Sequence, residues 1–172
     1  MSAQSIRQLS PRDSMKFARQ YMKKNLRAFK REDFALGRLL FLKYNAKDKT
    51  KVYEKNPLIL VLMRNSRHTL GLNFHWVPYN MRIELVNFIL KLNESRVNNY
   101  KRLKFPYPVL KKFLKKRGFV PCVRKYINQR FSRSGVVIPN TRLLGFARLN
   151  MMIFSNGLTA EQAYRLAIRK QI

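Results

Sequence analysis

The sequence predicts an α+β fold: an N-terminal basic helix, a small antiparallel sheet of three to four strands, and a helical C-terminal half. Three observations point to it. Helix start and stop residues bracket apolar side chains at helical spacing near the N-terminus and again after residue 78. Between residues 38 and 74 the apolar runs are short and bounded by charged or turn-forming stretches, which is a strand pattern. Hydrophobic residues make up 46% of 172, with 12 Phe and 8 Tyr, enough for one core and too little chain for two full domains. The expected organisation is a basic helical segment over 1–34, frayed at 1–9, followed by a single α+β domain over 35–172.

Each element has its own signal. Ser10-Pro11-Arg12-Asp13 reads as a helix start, with Ser as N-cap, Pro at the first helical position and Asp at the positive end of the dipole. Met15, Ala18, Met22, Leu26 and Phe29 then recur at helical spacing, and Gly37 ends or redirects the segment. Leu39–Tyr44, Leu58–Met63 and Thr69–Phe74 read as three strands of a small meander or partial barrel, with Asn65-Ser66-Arg67-His68 as a turn. Pro78-Tyr79-Asn80 opens a helix whose Met81, Leu85, Phe88, Ile89 and Leu92 share a face. A shorter helix is expected at Val109–Arg117, closed by Gly118, and another at Val123–Arg133, closed by Ser134-Gly135. Val136–Pro139 reads as a further strand, and Thr141–Phe154 fits helix or strand. Thr159-Ala160-Glu161-Gln162 is a capping box for a last helix toward Arg169.

Charge narrows the partner. There are 37 Lys and Arg against 8 Asp and Glu, a formal net charge of +29. Residues 95–160 hold 15 of those cations and not one carboxylate. A folded chain with this charge repels itself, so a polyanion that neutralises it is expected, and nucleic acid leads because its phosphates exchange counterions for Lys and Arg. The aromatic content excludes a disordered polycation. A membrane partner is not expected: Leu58–Met63 and Met151–Phe154 are far below spanning length, and no basic segment shows a broad apolar face. The ten first residues lack the apolar run of a signal peptide, and Cys122 is the lone cysteine, which fits a reducing compartment.

The candidate phosphate contacts fall into two sets. Lys111, Lys112, Lys115, Lys116 and Arg117 share one helix, and Arg124, Lys125, Arg130 and Arg133 follow in the next. Lys23, Lys24, Lys30 and Arg31 form a similar group on the first helix. Such contacts hold a backbone without reading bases. Tyr100, Phe105, Tyr107, Phe113, Phe119, Tyr126 and Phe131 are interleaved with them; most are expected in the core, while any exposed ring could stack on a base.

Catalytic chemistry is not expected, nor a cofactor or a metal. His68 and His75 are the two histidines, and Glu84 is the nearest downstream carboxylate for a His–Glu nuclease site. Carboxylates are too few and scattered for a two-metal site, and Gly71 and Gly118 stand alone where a phosphate loop needs several glycines. Cys122 beside Arg124-Lys125 could be activated by their charge, but a lone cysteine more commonly packs as a small hydrophobe.

Three segments taken together resemble a known family. They are Arg38-Leu39-Leu40-Phe41-Leu42-Lys43-Tyr44 with Tyr53-Glu54-Lys55-Asn56-Pro57; then Leu70-Gly71-Leu72-Asn73-Phe74-His75-Trp76-Val77-Pro78 with Arg82; then Pro121-Cys122-Val123-Arg124-Lys125-Tyr126. The order is similar to that of small basic DNA end protector or DNA-associated virion proteins of tailed bacteriophages. The resemblance covers residues 35–165, with the Gly-Leu-Asn-x-His-x-x-Pro run as its best motif. The N-terminal helix, the high charge and Glu54-Lys55-Asn56 (in place of an acidic Asp after paired aromatics) depart from it.

The resemblance implies a non-enzymatic phage structural protein that contacts packaged duplex DNA or its ends, in the virion and, during assembly, in the host cytoplasm. Gly71, Asn73, His75 and Pro78 would define the fold, and other virion proteins could bind beside the DNA. Two alternatives remain open at this point: an RNA-binding protein of ribosomal type, and a virion or baseplate component that meets acidic proteins.

Overall fold

The computed structural model describes residues 10–46, 55–94 and 107–149, together with positions 162 and 165, both helical. In chain order the elements are α1 (Pro11–Asn25), β1 (Arg27–Ala28), β2 (Leu39–Tyr44), β3 (Leu58–Arg64), β4 (His68–Asn73), α2 (Tyr79–Glu94), α3 (Tyr107–Lys116), β5 (Val123–Ile127), β6 (Phe131–Ile138) and α4 (Leu143–Ala147). Among the described residues the strands form one six-stranded antiparallel sheet, ordered β1-β6-β2-β3-β4-β5.

The central strands β2 and β3 are apolar on both faces, and alternation divides the sheet's apolar side chains between two clusters. Leu39 and Phe41, Leu58, Leu60 and Leu62, Leu72, and Val136 and Ile138 enter the larger core, which α1, α2, α3 and α4 cover with Ala18, Leu85, Ile89, Leu110, Leu114 and Phe146. Their neighbours Leu40, Leu42, Ile59, Val61 and Tyr126 point the other way, into a smaller cluster closed by Phe34 and edged by Phe29, Tyr44 and Phe131. This two-sided burial is why β2 and β3 read as unbroken apolar runs.

The sheet curls. β3 and β4 lie between β2 and β5, so three flat steps would separate those strands by about 14 Å. Instead the Tyr44 ring meets Tyr126 edge-on at 5.1 Å, and the Ile127 N–H donates to Tyr44 Oη at 3.3 Å. Register shifts in β2–β6 near Leu42 and in β3–β4 near Val61 bend the strands toward this closure.

Six strands replace the three to four expected, and the C-terminal half is not helical throughout. Val123–Arg133, read as a helix, is β5, a 3-10 turn at Asn128–Arg130 and the start of β6. Val123, Tyr126 and Ile127 favour a strand, and β5 takes its hydrogen bonds from β4. Ser134-Gly135, read as a helix stop, lies inside β6 because the sheet needs a residue without a side chain there. A Cβ on Gly135 would sit 2.3 Å from Phe29 Cζ and 2.8 Å from the Phe41 carbonyl oxygen.

The first helix is also shorter than its spacing implied. It stops at Asn25, and Arg27–Ala28 pairs with Gly135 and Ser134 as an edge strand. At its start the Ser10 Oγ accepts from the Asp13 N–H at 3.1 Å, the N-cap expected there. Gly118 takes a φ of 70° as α3 ends, which suits glycine at that position. Thr141–Phe154 resolves, as far as Leu149, into a 3-10 turn and α4. The capping box of the expected last helix and residues 47–54 lie outside the described residues.

Candidate nucleic-acid interface

Helix α3 sorts its side chains cleanly. Leu110 and Leu114 are buried, and Phe113 stacks on Phe88 of α2 with ring centroids 3.8 Å apart. Lys111, Lys112, Lys115 and Lys116 are all exposed on the rest of its surface. Arg117, just past the helix, is drawn instead into an ion pair with Glu84 of α2 at 2.7 Å. Glu84 is thereby committed to α2–α3, and it does not meet either histidine. His68 and Asn73 are opposite ends of β4, roughly 17 Å apart at strand rise, and His75 is fully buried beyond the far end.

A second cationic region surrounds the 3-10 turn Arg31–Phe34. Asp33 is buried there and grips Arg27 with both oxygens, at 2.7 and 2.6 Å, while accepting from the Lys30 N–H at 2.7 Å. The hydrogen bond from Arg27 is the largest cause holding the Asp33 carboxyl below its ordinary pKa, and Asp33 in turn raises that of Arg27. This clasp leaves Lys30 and Arg31 exposed. Arg64, unassigned by sequence, lies over the Phe34 ring at 4.0 Å. Burial lowers its pKa, and the nearby Arg31 charge lowers it further. Lys23 and Lys24 are exposed on the last turn of α1.

The remaining predicted contacts are dispersed. Arg124 is half-buried over the Trp76 ring at 4.2 Å, Lys125 is exposed on edge strand β5, and Arg133 is exposed on β6. Arg130 belongs to a different feature, a cleft of about 660 Å³ between the end of β2 and the β5–β6 turn. Lys43, Tyr44, Asn45, Lys55, Gln129, Arg130, Phe131 and Ser132 line it. Sequence reading missed Lys43 and Lys55, which sit in segments read only as a strand and a charged stretch. The one available signal was the Lys43-Tyr44 pair, where the apolar run of β2 gives way to polar residues.

The Gly-Leu-Asn-x-His-x-x-Pro run forms a buried hinge at the end of β4. Gly71 lets Ile59 and Tyr126 close over it, since a Cβ there would already be 3.1 Å from Ile59 Cβ. Asn73 Oδ1 accepts from the His75 N–H, and its Nδ2 donates to Tyr126 Oη, both at 2.9 Å. The His75 ring stands edge-on to Phe41, and buried Pro78 precedes α2. Arg82 is buried and donates to the carbonyls of Val77 at 2.8 Å, Leu149 at 2.7 Å and His75 at 3.4 Å. Cys122 is buried too; loss of solvation pushes its thiol up to about 12, outweighing the charges of Arg124 and Arg82. That is the inert thiol, not an activated one.

A family model described as the phage T4 terminal DNA protecting protein matches residues 4–141. The chain belongs to that family. No curated protein and no solved structure matches it. The terminal DNA protecting family places the chain among bacteriophage proteins, with DNA as its partner. The matched region begins before α1, so the N-terminal helix is part of the family pattern and not a departure from it, and it ends at Thr141, short of the 165 expected and ahead of α4. The clasp, the cleft, the buried hinge and α3 all lie within the terminal DNA protecting match. Among the described residues no helix is long and apolar enough to cross a membrane.

Proposed function

We propose that this protein covers the ends of duplex DNA without regard to sequence and without chemistry, shielding them by occupancy. One observation carries the reading: Lys111, Lys112, Lys115 and Lys116 are exposed together on α3, within a tract of the chain that has no carboxylate. Four like charges within about two helical turns repel one another, and a phosphate backbone relieves that repulsion while its counterions leave. The exposed Lys23, Lys24, Lys30, Arg31, Lys125 and Arg133 extend the cationic surface, and Arg117 contributes less because Glu84 already partners it. Such binding is steered and salt-sensitive but indifferent to base order. The protein acts on packaged DNA in the virion and meets it in the host cytoplasm during assembly.

The test is binding to linear duplex, covalently closed duplex and structured RNA across a salt series, alongside exonuclease digestion of the linear form. Linear duplex is expected to bind tightest and to resist digestion. Replacing the four α3 lysines with Gln should flatten the log–log salt slope by about 3 to 4, near 0.9 per phosphate contact. An unchanged slope removes α3 from the interface. RNA winning at matched salt, or equal binding to both duplexes, overturns the end-covering reading.

A further inference from the structure

The cleft beside β2 has a composition that covering a phosphate backbone does not require. Its described lining holds three cations, Lys43, Lys55 and Arg130, and no carboxylate. It also presents two half-buried aromatic rings, Tyr44 and Phe131, and the amides of Asn45 and Gln129. A flat phosphate track needs only the cations. Rings beside cations in a cavity suit a ligand with both an anionic group and a planar face.

The walls are built in advance. Tyr44 is pinned through its hydroxyl by the Ile127 N–H, and its ring packs against Tyr126 and Phe131 at 5.1 and 5.6 Å. Phe131 is backed by Phe34, stacked at 5.5 Å. Backbone hydrogen bonds tie the cationic residues to this frame: Tyr44 N–H to the Lys55 carbonyl at 2.8 Å, and Asn45 N–H to the Arg130 carbonyl at 3.0 Å. A site whose parts are already fixed loses little ordering entropy on binding.

We propose that this cleft takes the terminal nucleotide of a DNA strand, its phosphate held by Lys43, Lys55 and Arg130 and its base against Tyr44 and Phe131. This deepens the end-covering reading and rests on it for the source of the nucleotide. Size supplies the selectivity. About 660 Å³ admits one or two nucleotides and not a duplex, so a base must leave its stack to enter. Extrusion from within a duplex costs a few kcal/mol and least where pairing is already lost. A strand end has one stacking neighbour and frays, so the cleft fills there first. Amide side chains offer both donors and acceptors, so any base is accepted.

Two measurements test this on the full chain. In the first, linear duplex carrying 5-iodo-deoxyuridine at its 5′-phosphorylated terminal nucleotide is photo-crosslinked, and the same label is placed internally as a control. Terminal label is expected to attach at Tyr44 or within residues 129–132, several-fold above the internal label. Attachment elsewhere, or no excess over the internal label, overturns the proposal. In the second, a Lys43→Gln, Lys55→Gln, Gln129→Ala variant, altering positions whose side chains carry no core packing, is compared with the parent. Its affinity for terminal-labelled linear duplex should fall about tenfold, against a loss of about threefold or less for closed duplex. Equal losses on both overturn the cleft assignment. Should the parent itself bind both duplexes equally, end covering fails, and the crosslink still decides whether the cleft receives a nucleotide.

Discussion

The two faces of the curled sheet are buried in different ways. One carries Phe74, Trp76, Val77 and a run of leucines beneath four helices, and its central residues are fully excluded from water. The other is a smaller cluster, half of it aromatic, covered by a single 3-10 turn, with Arg64 lying on it and the cleft opening at its edge. The thick side holds most of the buried core. The thin side is therefore free to place rings and cations at the surface, and both the Arg27–Asp33 clasp and the proposed nucleotide site belong to it. The proposed nucleotide site thus sits where packing is lightest, whereas the α3 lysines stand on a helix that covers the heavier side.

That contrast breaks or sharpens in five experiments, which begin with the largest expected effect and end with the smallest. Phe74→Ala on the helix-covered face should cost about 3–5 kcal/mol in urea denaturation, through lost burial and a residual cavity. Phe131→Ala on the thin face should cost only about 1–2 kcal/mol, because part of that ring is already in water; equal losses would erase the distinction between the faces. Gly135→Ala comes next, at about 1–3 kcal/mol, since Phe29 can swing aside but the Phe41 backbone oxygen at 2.8 Å cannot.

The clasp adds a pH dependence. Asp33 is held below the ordinary carboxylate value, so its contribution is complete above about pH 4 and is lost as pH falls through the lower folded value. Asp33→Asn should therefore be about 1–2 kcal/mol less stable near neutrality. The two stability curves should converge in acid; a constant gap down to about pH 2 would remove the clasp as the cause. The smallest effect concerns Cys122. With the thiol at about 12, the reactive thiolate is about one part in ten thousand at pH 8. Iodoacetamide should label it only at the rate of unfolding, and fast labelling of the native protein would contradict its burial.

Legibility in the sequence followed locality. β2, β3 and β4 were readable because each is a bounded apolar run, and α3 because its cap, stripe and cations lie within one short segment. The second part of β6 was legible as the strand expected at Val136–Pro139, but its first part was misread because the reason for Gly135 is a ring at position 29, more than a hundred residues away. β1 was hidden because Leu26 and Phe29 continue the spacing of α1 by coincidence while the chain has already turned into the sheet. The α3 lysines were found for the same reason as the helix. The cleft was not: Lys43, Lys55 and Arg130 come from three segments and meet only because β2 pairs with β6 and the sheet curls.

Arg82 has one more consequence. Its guanidinium bonds to backbone carbonyls at residues 75, 77 and 149, the last lying outside the family match. Carbonyl oxygens do not titrate, so this rivet survives acid that would open the Asp33 clasp. Acid strong enough to protonate Asp33, below about pH 4, should thus loosen the side that carries the clasp while the seam joining the chain's later segment to its sheet stays fastened, giving the molecule two joints of unequal durability.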